Sequence, residues 1–555
     1  MRRDASGSVG VLGEREFLGL TGRGHVGLLR GVLGLLSAVL VLAPMMVGVP
    51  QAAAVTVTVP CVGAMGKVGS CKGTQIASDA NIPSSGVLAA GTYVVTGSFT
   101  HNGTLTVDGA VVLVLGDGIN WIVIADPSTG EPGIKVVAGS KLTVTSESLG
   151  PLGSGMGRLS VGGDDGGAGI GGGVDDVFGV ITINGGAITA NGGVGAAGIG
   201  AGRCSSAAGA CGSVQGSVTI NNGVVRAYGS TTGAGVGGGG LSAAGQVTIA
   251  GGTVTATGQA GGAGIGGCEC TGGSTCLGSA DKITITGGKV TARSNGGAAI
   301  GGGLSGGVPA IVISGGTVDA AHTSGFGAGI GGGEFNVTGP GIKISGGQVT
   351  AQGGSQAPGI GPGMGGSPTV TVMTGGTLTA VAGDNSTAAV VGSFTPPNVY
   401  EYWTNTGSNA DPGGPGTAVP PASAFVNSDA YQFVKIVTQY ALSLKSTSGG
   451  SVTVGSGGVY AAGDKVKLVA TPDKGFKFVG WKTSHGGSFS SPSKAKTTFT
   501  MPGNATTVTA MFKAVGGGGS VETGGRLMSQ VPLWAGAVLL LVGVGLLVRR
   551  RWARG

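Results

Sequence analysis

The chain has 555 residues, of which 125 are glycine and 10% are charged, and its formal net charge is +7 at pH 7. Glycine does not fall at every third position, which excludes a collagen triple helix. The aliphatic residues recur in phase along the chain, and a disordered glycine-rich chain has no reason to keep such a phase.

Residues 1–54 are predicted to form a secretory signal peptide. An apolar run from Val26 to Val49 is followed by Gln51 to Ala54, which provides an A-x-A exit, and cleavage is expected near Ala54. Arginines at and before the start of this run provide a basic n-region: Arg2, Arg3, Arg15, Arg23 and Arg30. An uncleaved N-terminal anchor is the alternative interpretation.

Residues 55–160 alternate or run apolar between glycine and aspartate turns, for example at Leu105 to Val107 and Ile119 to Ile124. This pattern predicts irregular first coils beneath an N-terminal cap. A cap is required because an open sheet end exposes both its core and an unpaired edge.

Residues 161–393 repeat two short phrases. One is Ala-Gly-Ile-Gly-Gly-Gly, first seen at residues 168–173. The other is apolar-x-Gly-Gly-x-apolar, where x is any residue, as in Ile249 to Val254. The two apolar residues of the second phrase are five positions apart, and one full repeat takes about 29 residues. Short alternating apolar segments indicate strands, and Gly-Gly pairs indicate turns.

Three strands and three turns in each repeat predict a parallel β-helix, in which like residues stack on like. The fold class is therefore all-β, and the right-handed form is favoured because the repeats are not hexapeptides. Two interior columns are expected to be Ile183, Ile220, Ile249, Ile285, Ile313, Ile344 and Met373, and Ile188, Val225, Val254, Val290, Val318, Val349 and Leu378. The third is the aliphatic series of the Gly-Ile-Gly phrase.

Seven cysteines fit an exported chain, where loop-closing disulfides are the rule. Cys61 and Cys71 bracket a loop, Cys204 and Cys211 share one long connection between coils, and Cys268, Cys270 and Cys276 share another. We expect Cys204 to bond Cys211 and Cys276 to bond Cys268 or Cys270. Both connections should lie on one face two rungs apart, and this face is the first candidate for ligand contact because variable surface loops commonly carry function.

Catalysis is not expected. Glycoside hydrolysis needs two carboxylates facing each other across a bond, and no nucleophile–base pair is visible in the coils. The acidic clusters flank the first Gly-Ile-Gly phrase and are weak candidates for Ca²⁺ ligands, with a solvated turn as the alternative: Asp164, Asp165, Asp175 and Asp176. No other cofactor is predicted.

Residues 394–438 carry proline-rich stretches and several aromatic residues, among them Tyr400, Tyr402, Trp403, Tyr431 and Phe433, which indicates a C-terminal cap or linker. Residues 439–514 form a different module of six short predicted strands. Its phrases Gly475 to Trp481 and Thr507 to Phe512 resemble the divergent internalin-type B-repeat, which implies a small β-sheet stalk or contact module of a bacterial surface protein. Residues 440–513 contain nine lysines against two aspartates, and this charge should attract anionic polymers such as teichoic acids, or phospholipid head groups.

The C-terminal segments predict an anchor. A Gly-rich spacer at 515–530 precedes an uncharged apolar run at 531–548, long enough to span a bilayer as a transmembrane helix, and a basic tail at 549–555 that should be cytoplasmic. Glu522, Thr523 and Gly524 fit the last three positions of the Leu-Pro-x-Thr-Gly motif, so the tail resembles a Gram-positive sortase signal cleaved after Thr523. Ser520 and Val521 replace the Leu-Pro pair, which leaves a plain membrane anchor as the other interpretation.

The alternating repeat phrases also resemble β-helix surface proteins that often carry a carbohydrate-binding label. Together these features predict a non-catalytic protein on the envelope of a Gram-positive-type bacterium, which binds glycan or an anionic envelope polymer, or acts in adhesion. A nucleic-acid partner is not expected. The alternatives are a polysaccharide-degrading lyase or glycosidase, and a purely structural surface spacer.

Overall fold

The computed structural model describes residues 54–64, 66–149, 155–205, 216–243, 245–270, 280–307, 309–336, 341–367, 369–386, 388–419, 431–454 and 458–515, all within one compact unit that begins at Ala54. These residues form strands and one short 3-10 helix at Asp79–Asn81. No helix in these ranges is both long and apolar enough to cross a bilayer. The predicted signal up to residue 53 and the apolar run 531–548 lie outside the described residues.

The first strands lead from a hairpin into the coils. β1 (Thr56–Val62) pairs antiparallel with β2 (Val68–Ile76), and the end of β2 pairs in parallel with β3 (Val87–Val95). The following strands are β4 (Phe99–Asn102), β5 (Leu105–Leu115), β6 (Asn120–Ile124), β7 (Ile134–Val136), β8 (Lys141–Ser146) and β9 (Arg158–Gly162). β5 spans two faces of its coil, because its first part pairs with β7 and its second part with β8.

The regular coils each contain a two-residue Ile-Gly or Val-Gly strand followed by two longer strands. The first four coils contain β10 (Ile170–Gly171), β11 (Val180–Ile183), β12 (Ala187–Asn191), β13 (Ile199–Gly200), β14 (Ser217–Ile220), β15 (Val224–Tyr228), β16 (Val236–Gly237), β17 (Gly245–Ile249), β18 (Thr253–Thr257), β19 (Ile265–Gly266), β20 (Ala280–Ile285) and β21 (Lys289–Ser294). The next three contain β22 (Ile300–Gly301), β23 (Ala310–Ile313), β24 (Thr317–His322), β25 (Ile330–Gly331), β26 (Gly341–Gln352), β27 (Ile360–Gly361) and β28 (Thr369–Val381). In β26 and β28 the two longer strands have merged into one.

The predicted stacking is confirmed. Ile249 pairs with Ile220 on one side and with Ile285 on the other, and all three side chains are fully buried. The second column is continuous from Ile188 to Leu378, and the third runs from Ile170 to Ile360 and reaches Val390 through a single bridge. Because each interior residue is covered by its equivalents on the adjacent rungs, the core is a stack of aliphatic layers.

The glycine after each short-strand aliphatic residue is required by the stacking. Gly237 has φ +141°, and a Cβ built there would overlap the carbonyl oxygen of Gly266 on the next rung. The Ala234 amide donates to the Gly238 carbonyl at 2.8 Å within the same coil, so the chain doubles back around Val236 and points that side chain inward. Only glycine satisfies both the backbone angle and the close approach.

Antiparallel strands end the coils. β29 (Gly392–Thr395) extends the sheet, and β30 (Tyr400–Asn405), β31 (Thr417–Val419) and β32 (Phe433–Ser446) follow. The first part of β32 pairs antiparallel with β28 of the last coil, and its last part pairs with a strand of the C-terminal module. A single 14-residue strand therefore joins the coils to the module, where the sequence predicted a cap or linker.

The C-terminal module packs two sheets around its own core. Its strands are β33 (Gly450–Val454), β34 (Val459–Ala461), β35 (Lys465–Pro472), β36 (Phe476–Thr483), β37 (Ser488–Phe489), β38 (Lys496–Thr500) and β39 (Thr506–Ala514). One sheet has the order β33-β35-β38-β37, and in the other β39 lies between β32 and β36. Leu468, Phe499, Val508 and Ala510 are buried between the sheets.

We predict that Ile285→Asp destabilises the coils by roughly 4 kcal/mol or more, because an unpaired carboxylate would enter an apolar core. Thr284→Asp is the matched control, since Thr284 alternates with Ile285 on the same strand and is only half-buried. Urea unfolding followed by circular dichroism measures both. Equal midpoints for the two variants would contradict the assignment of Ile285 to the interior.

The glycine requirement gives a second prediction. Gly237→Ala should cost about 1–3 kcal/mol from backbone strain alone, with the carbonyl overlap adding to it. Gly407→Ala is the control, because no atom lies within 4 Å of a Cβ at Gly407. A thermal melt in which Gly237→Ala matches Gly407→Ala would show that the rungs are not as close as described.

Candidate functional site

The two long connections between coils leave the same face. One begins after β13 and the other after β19, and the pairing of Ile199 with Val236 and of Val236 with Ile265 places β13 and β19 two rungs apart. Two rungs correspond to about 10 Å. The predicted position of the connections is therefore confirmed where they start, while their central parts lie outside the described residues.

The turn that follows each short strand is part of the hydrogen-bonded ladder. In each turn, the residue five positions after the short strand's aliphatic residue donates its backbone amide to a carbonyl oxygen on the next rung. The acceptor lies four positions after the next short strand's aliphatic residue. Cys204 donates to Gly240 at 2.8 Å in this way, and Ser305 donates to Glu334 at 2.7 Å. We call this series the turn column: Asp175, Cys204, Leu241, Cys270, Ser305 and Phe335. These turns are thus fixed by the same one-rung repeat as the strands.

Four of the six turn-column residues have a positive φ, and two of these four are bulky and apolar. Leu241 has φ +62° and Phe335 has φ +55°, in the left-handed region that glycine and asparagine occupy most readily. Phe335 is also about half exposed. Strained backbone at bulky residues is commonly found at functional positions, and here it holds apolar side chains on the face that carries the long connections.

A cleft of about 330 Å³ opens at this face, between the starts of the two connections. It is lined by Arg203, Cys204, Ser205, Thr232, Gly240, Leu241 and Glu269. The lining combines a guanidinium group, two hydroxyls and one carboxylate with a leucine. Hydrogen-bond donors and acceptors around a small apolar floor are typical of sites that bind polyhydroxylated ligands.

The charges of the cleft are only partly compensated. The Arg203 Nη2 atom lies 3.8 Å from a carboxylate oxygen of Asp165. The Nε atom of Arg203 is buried and has no hydrogen-bond partner among the described residues. Burial raises the pKa of Glu269 above its ordinary value. Arg203 Nε, which has no partner among the described residues, and the Glu269 carboxyl group line the same cleft, and a ligand can bind between them.

The four aspartates proposed as calcium ligands bind other groups. Asp164 accepts the backbone amides of Thr129 at 2.7 Å and of Gly130 at 3.0 Å. Burial by itself would raise the pKa of Asp164, but these amide hydrogen bonds lower it overall. Asp176 pairs with Lys135 at 2.8 Å.

The other two aspartates are engaged in the same way. Asp175 accepts from the hydroxyl and the amide of Ser205, which lower its pKa, and Asp165 faces Arg203. Across the described residues no group of three or more His, Cys, Asp or Glu side chains is placed to hold a metal ion. These aspartates therefore order the turns at the first regular coils.

Among the five cysteines that the structure describes, four are disulfide-bonded and Cys268 is a thiol. Cys61 and Cys71 form a disulfide across the first hairpin, as predicted, with Cα atoms 5.7 Å apart. Cys204 and Cys270 are each disulfide-bonded. They lie two rungs apart, beyond the reach of one disulfide, so they are not bonded to each other. Cys211 and Cys276 lie outside the described residues.

Cys268 remains a thiol. It is fully buried, its Sγ contacts the Ser242 carbonyl oxygen at 3.4 Å, and burial raises its pKa to about 11. Of the two cysteines that the sequence offered as partners for Cys276, Cys270 is therefore the one in a disulfide. The Cys204–Cys211 pairing stays a prediction.

Two of the described aromatic residues of the C-terminal cap, Tyr400 and Trp403, are engaged within the cap itself. Tyr400 is buried. The Lys435 ammonium lies 4.7 Å from the centroid of the Trp403 ring, Gly416 packs on the same ring, and Trp403 Nε1 donates to the Gly414 carbonyl at 3.1 Å. These contacts hold the cap strands together.

Comparisons with known families agree with this architecture. Residues 440–516 match the model of the divergent InlB B-repeat domain. Five segments match the model of the beta helix repeat: residues 181–203, 247–273, 283–304, 311–334 and 342–367. No curated protein and no solved structure matches the chain significantly. The chain thus contains β-helix repeats and a divergent InlB B-repeat domain, a combination that fits a surface or extracellular protein.

The cysteine chemistry is directly testable. In the native, non-reduced protein, iodoacetamide should leave Cys268 unmodified, because its thiol is buried and its pKa of about 11 keeps it protonated near neutral pH. After unfolding without reductant, mass spectrometry should find Cys268 alkylated and Cys61–Cys71 still joined. Native alkylation of Cys268, or its presence in a disulfide, would contradict the structure.

Proposed function

We propose that the protein is an exported, non-catalytic surface protein of a Gram-positive-type envelope, and that its β-helix binds glycan in the cleft between the long connections. The observation that carries the proposal is the cleft lining, which combines Arg203, Ser205, Thr232 and Glu269 with the apolar Leu241. Sugar hydroxyls need donors and acceptors together with a modest apolar surface, and this lining offers all three.

A glycosidase role is not favoured by this geometry. Glu269 is the single carboxylate among the described residues of the cleft lining, whereas both glycosidase mechanisms use two carboxyl groups roughly 5–10 Å apart. The nearby Asp175 and Asp165 already bind Ser205 and Arg203. The cleft is therefore suited to holding a ligand rather than cleaving it.

Rigid display is supported by the junction between coils and module. β32 leaves the last coil and enters the module without an intervening turn, and the Tyr440 hydroxyl accepts the Gly376 amide at 3.0 Å across the junction. A continuous strand transmits orientation better than a flexible linker. The same feature favours a spacer role for the coils, which is compatible with ligand binding at their side.

Attachment to the envelope is proposed from the sequence of the terminal segments. Residues 1–54 would direct export, the apolar run 531–548 would cross the membrane, and the basic tail 549–555 would stay in the cytoplasm. Cleavage after Thr523 by a sortase would instead transfer the protein to the wall. Thr523→Ala distinguishes the two: it changes fractionation only if a sortase cleaves there, whereas deletion of 531–548 releases the protein in either case.

Glycan binding is tested with residues 54–515 on a glycan array. We expect binding that Arg203→Gln and Glu269→Gln each weaken by about tenfold or more, because each removes a charge-assisted hydrogen bond. Arg226→Gln is the control, since Arg226 is exposed on β15 and is not among the residues that line the cleft. Absence of glycan binding, equal loss in the control, or release of glycan fragments would overturn the proposal.

A further inference from the structure

One surface of the C-terminal module carries four lysines. In β39 the side chains of Thr506, Val508, Ala510 and Phe512 are buried, so the alternate positions face outward. Lys513 is one of these, and the pairing registers place three further lysines on the same side of the sheet. We call this surface the lysine face: Lys445, Lys477, Lys482 and Lys513, all exposed.

The registers bring these lysines close together. Lys477 lies directly opposite Lys513 in the antiparallel pair of β36 and β39. Thr509 separates the other two, because it pairs with Lys482 on one side and with Lys445 on the other. Like charges directly opposite each other across two strands destabilise a sheet. The pairing of Lys477 with Lys513 costs stability in the isolated protein. This cost is explained if the lysines bind an anionic surface that compensates their positive charge.

No carboxylate of the described module compensates it. The two acidic residues of 440–513 are Asp464 and Asp473, which flank β35 in the other sheet, and Asp464 accepts the Ala461 amide at 2.8 Å. Within the described residues none of the four lysines forms an ion pair. The lysine face is therefore uniformly positive.

Exposed apolar residues adjoin these lysines. A bulge in β36 between Phe478 and Gly480 leaves Val479 about half exposed, and Val515, two residues beyond Lys513, is exposed to a similar extent. Lysines interspersed with exposed aliphatic groups on a flat sheet suit the interface of a bilayer, where ammonium groups meet head groups and short apolar side chains enter the boundary.

The chain length favours a membrane over a soluble polymer. Only residues 516–530 separate Val515 from the apolar run that begins at Val531. Fifteen residues reach about 50 Å when fully extended and about 20 Å as a flexible glycine-rich chain. If the proposed anchor spans the membrane, a tether of this length lets the lysine face reach the head groups, and each lysine held within about one Debye length of them strengthens binding by roughly fivefold.

We propose that the lysine face docks on the anionic phospholipid surface next to the anchor and orients the rigid β32 junction, and with it the coils, relative to the membrane. This inference rests on the proposed membrane anchor for its setting. The docking itself depends only on described residues and is measurable without the anchor.

The test uses residues 54–515, which lack the apolar run, and sedimentation with vesicles of phosphatidylglycerol and phosphatidylcholine in equal parts. The Lys445, Lys477, Lys482 and Lys513→Gln variant should lose affinity by at least about a hundredfold, as four removed lysines require. The matched control replaces Lys465, Lys467, Lys494 and Lys496 by Gln, which removes the same charge from elsewhere on the module and should keep affinity within about threefold. Binding should be absent with pure phosphatidylcholine and should fall steeply with salt.

Equal losses in the two variants would show that net charge rather than the lysine face binds, and would overturn the proposal. Tighter binding to soluble inorganic polyphosphate than to vesicles would assign the face to a polymer and would also overturn it, as would absence of vesicle binding at low salt. Matching thermal melts establish that both variants fold. Failure of the anchor is seen separately, as unchanged fractionation of the full chain after deletion of 531–548.

Discussion

Successive short strands approach so closely that no Cβ fits between them, and this contact governs the rest of the coils. At Gly171, Gly200 and Gly237 a side chain would overlap the carbonyl oxygen of the glycine on the next rung. The backbone therefore sets the rung spacing at these positions, and the aliphatic residue before each glycine is directed into the core. The high glycine content is a packing requirement rather than a sign of disorder, because the positive φ values at these positions suit no other residue.

This constraint determines where the chain can vary. Strands and Gly-Gly turns must keep their register, since a shift of one residue would turn the aliphatic column outward. The turn after each short strand is the place where two connections lengthen, and the turn column keeps its amide ladder through both of them. Disulfides at Cys204 and Cys270 begin the long connections from fixed positions. A cleft between two such starts has rigid walls, which lowers the entropy cost of binding a ligand.

The sequence was sufficient to predict the three interior columns, because their spacing depends only on the period of the repeat. It was not sufficient for the site. The aspartates near the first regular coil were weak Ca²⁺ candidates by residue type, with a solvated turn as the alternative, and amide and hydroxyl groups from neighbouring turns bind Asp164 and Asp175. Such contacts join residues about 30 positions apart and depend on which turns are adjacent. The turn column could have been located from the sequence, because each of its residues follows the aliphatic residue of a short strand by five positions.

The junction and the lysine face were missed for a related reason. The aromatic and proline-rich composition of 394–438 indicated a cap or linker, whereas continuity of β32 depends on pairing with two different partners. The lysines of 440–513 were counted from the sequence, yet their division between two sheets follows from the register of β36 with β39 and from the bulge beside Val479. Charge is visible in a sequence, but the face on which it lies requires the pairing.

The central claim is that the turns around the cleft belong to the same rigid ladder as the strands. Amide hydrogen exchange of the unliganded protein tests this most directly, at the turn-column residues Leu241 and Ser305. Their amides donate to the next turn, so exchange is predicted to be as slow as in the neighbouring strands, although these residues lie in surface turns. Exchange at the rate of an unstructured loop would contradict the claim, because the cleft would then have no fixed walls.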